Sequence, residues 1–103
     1  MEEVIDKIDV EKVVEKHKYK KFAVVFHNDD FTPMDFVIQL LVTVFFHSKE
    51  KAEELMWKVH NDGRAVVGIF SKDIAETKKA QVDAYAKNFQ QPLLCSVEIT
   101  EVD

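Results

Sequence analysis

Phe26-His27-Asn28-Asp29-Asp30-Phe31-Thr32-Pro33-Met34 decides how this chain folds, because three acceptor-bearing side chains stand between an apolar strand pattern and an apolar helix pattern. Upstream, Phe22, Val24 and Phe26 alternate with Ala23, Val25 and His27, the period-two pattern of a buried strand. Downstream, Thr32 is expected as the N-cap, Pro33 at the first helical position, and Asp35 three residues after the cap as a capping-box partner. The Asn-Asp-Asp turn then lies at the positive end of a helix dipole, held on both sides by elements that pack rigidly.

The helix opened by Pro33 runs through Phe46, and its polar residues Asp35, Gln39 and Thr43 fall at i, i+4 and i+8, one wet stripe on an otherwise apolar cylinder. Ser48 is the expected N-cap of a second helix with Ala52, Leu55, Met56 and Val59 on its apolar face. Gly63 suits the left-handed position that closes it. Ala65 to Phe70 has strand length and composition, Ser71 opens a third helix, and Ala75, Val82, Ala86 and Phe89 share one face of that helix until Pro92 stops it. Leu93, Cys95, Val97 and Ile99 then alternate with polar or exposed positions in a last half-buried strand. The order β-α-α-β-α-β predicts an α+β domain, a three-stranded antiparallel sheet carrying three helices.

At 103 residues the chain makes one domain, able to bury roughly 60 to 70% of its unfolded surface without staples. Residues 1–21 hold six acids and six bases and few aromatics, and are expected to form a mobile extension to a domain of residues 22–103. The net charge of −5 therefore falls on that domain, and the bases are scattered, which argues against nucleic acid as a partner. The longest apolar stretch, Phe36 to Phe46, falls short of the roughly 20 residues that span a bilayer, and no secretory segment follows Met1, so no membrane is expected and the cytoplasm is the expected location. The single Cys95 lies in an apolar run and reads as a small buried hydrophobe.

Asn28, Asp29, Asp30 and His60 form the first candidate constellation. Asn28 and His60 end different elements, so only the fold can unite them, and ordinary turn chemistry with a helix-terminal histidine accounts equally for the spacing. Catalysis has little support: no Ser, Cys or Lys stands in a nucleophile motif with a histidine, and two glycines make no phosphate-cradling loop. The four histidines show no metal-ligand spacing, and neither metal nor cofactor is expected. Met34 and Val37 on the first helix, with Met56 and Val59 on the second, could line a pocket or simply pack the two helices together. Trp57 is expected half-exposed and by itself decides nothing.

Four segments, His27 to Val37, Val59 to Ala65, Ile74 to Lys78 and Pro92 to Cys95, resemble the ClpS adaptor family in its own order, over about Tyr19 to Glu98. The resemblance implies a non-enzymatic, monomeric adaptor of the bacterial N-end rule. Such an adaptor binds proteins with an N-terminal Phe, Tyr, Trp or Leu and hands them to the N-terminal domain of the AAA+ unfoldase ClpA, or of a ClpC-type relative, for degradation by ClpP. On this sequence the resemblance puts α-amino recognition on Asn28, Asp30 and His60, with Asp29 in the same acidic turn. It puts the side-chain pocket on Thr32, Met34, Val37, Met56, Val59 and Leu93, with Met34 as the gatekeeper against β-branched residues, and the unfoldase-facing surface on Asp73 and Lys78. Phe31 and Asp35 stand where familiar members have Tyr and Glu. Two other readings compete: a general acid/base enzyme, and a ribosome-associated interaction domain indifferent to free amines.

Overall fold

The computed structural model describes residues 20–101. The elements follow the expected order: β1 (Lys20–His27), α1 (Met34–Thr43), α2 (Lys49–Asp62), β2 (Arg64–Phe70), α3 (Lys72–Asn88) and β3 (Leu94–Glu101). The extension expected over 1–21 lies outside the described residues except for Lys20 and Lys21, the first two residues of β1.

The three strands form one antiparallel sheet in the order β2-β1-β3. As the central strand, β1 buries Ala23, Val24, Val25 and Phe26. A bulge interrupts its pairing with β2, since Val24 faces Gly68 while Val25 faces Val66, leaving Val67 as the extra residue. Val67 is buried, so the bulge adds an apolar side chain to the core. The helices pack on the Phe26 face. Val24, Phe26, Leu40, Leu41, Val59, Val67, Val82 and Cys95 belong to one continuous core, with Phe26 and Phe45 edge to face at 5.6 Å. The opposite face of the sheet carries the Arg64–Glu98 ion pair and the His27–Ser96 hydrogen bond. Burial pushes the Cys95 thiol up to about 12.

Several helix ends follow local chemistry. Ser48 caps α2 through its hydroxyl, which accepts from the Lys51 N–H at 3.1 Å, and Gly63 closes α2 at φ 85°. Gln90 adopts φ 55° after α3, while the N–H groups of Gln90 and Gln91 return to the Lys87 and Ala86 carbonyls, a Schellman ending with Gln in the usual glycine place. Several expectations are corrected, among them the end of the first helix, which stops at Thr43 rather than running through Phe46. Pro33 rather than Thr32 occupies the N-cap of α1, and no side chain caps it. Asp35 accepts from the adjacent Phe36 N–H at 3.0 Å instead of reaching back to Thr32. Phe89 leaves the core face of α3: it is 61% exposed and packs edge-on against Phe36 at 5.9 Å. Ile99 is likewise exposed although it shares the alternation of Cys95 and Val97.

Candidate functional site

Register brings the two halves of the site together. Antiparallel pairing sets His27 opposite Arg64, so the last residue of β1 lies beside the first residue after the α2 cap. The next step along the chain extends that pairing: the Asn28 N–H donates to the Gly63 carbonyl at 2.9 Å. The Asn-Asp-Asp turn is thereby tied to the end of the helix that carries His60.

Asp29 organises the turn. Its Oδ1 accepts from the N–H groups of Phe31 and Thr32 at 2.8 and 2.7 Å, and its Oδ2 accepts from the Thr32 hydroxyl at 2.7 Å. Burial raises the Asp29 carboxyl, but these three hydrogen bonds outweigh it and hold the group below its ordinary value. The Thr32 hydroxyl and N–H are thus both turned back onto Asp29, and the chain enters α1 one residue later, at Pro33. The amide of Asn28, the carboxylate of Asp30 and the imidazole of His60 make no hydrogen bond with the protein among the described residues.

A cavity of about 200 Å³ opens between α1 and α2, lined by Asn28, Asp29, Asp30, Thr32, Met34, Val37, Met56, Val59 and His60. Apolar cavities of about 150 Å³ accept a benzene ring, so this one has room for an aromatic side chain. Val37, Met56 and Val59 are buried and form its floor, whereas Met34 is 40% exposed and stands at the mouth. Thus nine of the residues read from the sequence converge on one concavity. Leu93 is buried in the core and is not among the lining residues.

Asp73 and Lys78 lie elsewhere, on α3. Lys78 donates from Nζ to the Val44 carbonyl at 2.6 Å and sits 4.6 Å over the Phe46 ring. It lines a groove of about 460 Å³, together with the exposed Phe46 and Tyr85. The Val44 and Phe46 partners had no sequence signal, because Lys78 is 34 residues beyond Val44. The same holds for the Gly63 carbonyl that anchors Asn28; only the turn-forming character of Asn61-Asp62-Gly63 hinted at it.

No three His, Cys, Asp or Glu side chains among the described residues could hold a metal ion, and no helix there is long and apolar enough to cross a membrane. Fold and site together define a small binding domain whose cavity couples an apolar floor to a rim of acceptors. The family model for the ATP-dependent Clp protease adaptor protein ClpS matches residues 17–96. The chain is 54% identical over 77 residues to the ATP-dependent Clp protease adapter protein ClpS of Vibrio atlanticus (strain LGP32), covering 75% of this chain and 73% of that one. It also resembles the structure of Agrobacterium tumefaciens ClpS2 bound to L-phenylalaninamide, with TM-score 0.77 and 35% identity, over 80% of this chain and 99% of the other. The chain belongs to the ClpS family of Clp protease adaptors and is not an enzyme.

Proposed function

We propose that the cavity binds the free α-amino group and apolar side chain of an N-terminal Phe, Tyr, Trp or Leu, and that the chain delivers such proteins to ClpA or a ClpC-type unfoldase in the cytoplasm for degradation by ClpP. The observation that carries this reading is the convergence on one apolar cavity of Asn28, Asp30 and His60, whose side chains have no hydrogen-bond partner among the described residues. The likeness to a ClpS2 that holds L-phenylalaninamide supports it, since that ligand combines one free amine with one aromatic side chain.

An α-amino group with pKa roughly 7.7 to 8 is mostly an ammonium near neutrality and offers three donors. The Asn28 amide oxygen, the Asp30 carboxylate and the unprotonated nitrogen of a neutral His60 supply three acceptors, the carboxylate forming the charge-assisted bond. Acetylation removes both the charge and two donors. Acceptors left unpaired then cost about 1 to 3 kcal/mol each, and more for a charge.

The floor supplies the second filter. Burying Phe or Leu contributes roughly 1.5 to 3 kcal/mol, and a polar side chain is desolvated there without a partner. A branch at Cβ places bulk at the mouth beside Met34, where restricted χ1 rotamers leave no escape from the clash. One calorimetric series tests the whole reading: a peptide beginning with Phe, its acetylated twin, and the corresponding Val and Ile peptides. The first should bind and the other three should lose most of the affinity. Equal binding of the acetylated twin removes the amine from the mechanism, and equal binding of Val or Ile removes Met34 as gatekeeper.

The unfoldase is proposed to meet the surface around Asp73 and Lys78. Met34 and Val37 at the start of α1 line the cavity, whereas Thr43 and Val44 at its end line the groove beside Lys78, about 15 Å further along the helix axis. That spacing lets substrate and unfoldase be held at once.

A further inference from the structure

We propose that Trp57 forms a second subsite, which reads the residue following the bound N-terminal one and favours arginine there; this rests on the peptide-binding reading above. Trp57 precedes His60 by one turn of α2, and their rings lie 5.8 Å apart at 80°, edge to face. His60 lines the cavity and Trp57 does not, so the indole stands immediately outside the rim, 48% exposed. A chain whose amine is held at His60 leaves the cavity past that rim, and its next Cα is only about 3.8 Å away. The side chain of the second residue is then within reach of the indole.

A single exposed aromatic is ordinary on a protein surface. What distinguishes Trp57 is its setting. Its helical neighbours three and four residues away are Glu53, Glu54, His60 and Asn61, with no Lys or Arg among them. Glu54 pairs with Lys51 at 3.6 Å, whereas Glu53 enters no ion pair among the described residues. An indole face beside a free carboxylate suits a guanidinium, which stacks on the ring and pairs with the acid at the same time. Lysine presents only a point charge, and glutamine neither charge nor cation–π attraction.

The test compares peptides that begin Phe-Arg and Phe-Gln and are otherwise identical, at low salt, against the wild-type chain and Trp57→Ala. The ratio of the two dissociation constants isolates the second residue from any effect on the amine contacts. Phe-Arg should bind roughly three- to tenfold more tightly to the wild type. The ratio should fall to about one in Trp57→Ala, recover in part in Trp57→Phe, and shrink in Glu53→Gln or on adding salt. Because Trp57 is the single tryptophan, its emission should respond more to Phe-Arg than to L-phenylalaninamide, which has no second residue. A wild-type ratio near one, or one unchanged in Trp57→Ala, overturns the subsite while amide binding leaves the main reading intact. Failure of L-phenylalaninamide and both peptides to bind overturns both.

Discussion

Asp29 and Asp30 are adjacent carboxylates with divergent duties. Asp29 uses both oxygens on the N–H groups of Phe31 and Thr32 and on the Thr32 hydroxyl, while Asp30 lines the cavity with no hydrogen-bond partner among the described residues. Replacing Asp30 with Ala should therefore leave the fold intact by circular dichroism and nearly abolish affinity for a Phe-initiated peptide; retained affinity would exclude it as the cationic contact. Asp29 belongs to stability instead. Its folded carboxyl lies below the ordinary aspartate value of about 3.9, so its stabilising contribution is complete above that value and disappears as pH falls through the folded one. Urea midpoints of wild type and Asp29→Ala should differ by a constant amount above about pH 5 and converge as the medium is made more acidic than the ordinary aspartate value. A gap that persists in acid would mean that the carboxylate's charge is not what holds the turn.

At the scale of elements, contacts of short range were legible and those of long range were not. Ser48 and Gly63 could be assigned because each acts on backbone within four residues of itself. Thr32 was misread because its N–H and its hydroxyl both donate to the Asp29 carboxylate, which makes it the last residue of the preceding turn rather than the residue that caps α1. Phe89 fits the α3 stripe by angle, yet it sits past the last helical residue, where the backbone has already left the helix. The union of Asn28 with His60 depends on the pairing of β1 with β2, and no spacing in the chain encodes that register; the family resemblance anticipated it, but the residues alone did not. Gly63 is the hinge of this arrangement. Nothing lies within 4 Å of a Cβ built there, so Gly63→Ala meets no clash and suffers only from its φ of 85°. It should lose about 1 to 2 kcal/mol of stability by urea unfolding, and a smaller loss would show that the cap relaxes.

Across the whole molecule, the cavity and the Lys78 groove occupy opposite ends of α1, so the proposed substrate site and the proposed unfoldase surface do not overlap. Among the described residues, those lining the cavity all fall between Asn28 and His60. Deleting residues 1–19 should therefore spare peptide affinity. Delivery is expected to suffer, because by family resemblance the extension is what an unfoldase pore engages; undiminished degradation of a Phe-initiated reporter by the truncated chain would refute that role.

The buried thiol of Cys95, protonated up to about pH 12, is almost without nucleophilic character under ordinary conditions. As the chain's single cysteine, it leaves the native background silent toward maleimides. A cysteine engineered on any exposed loop would then accept one dye and no more, so the passage of adaptor and cargo toward the protease could be followed molecule by molecule without first altering the interior.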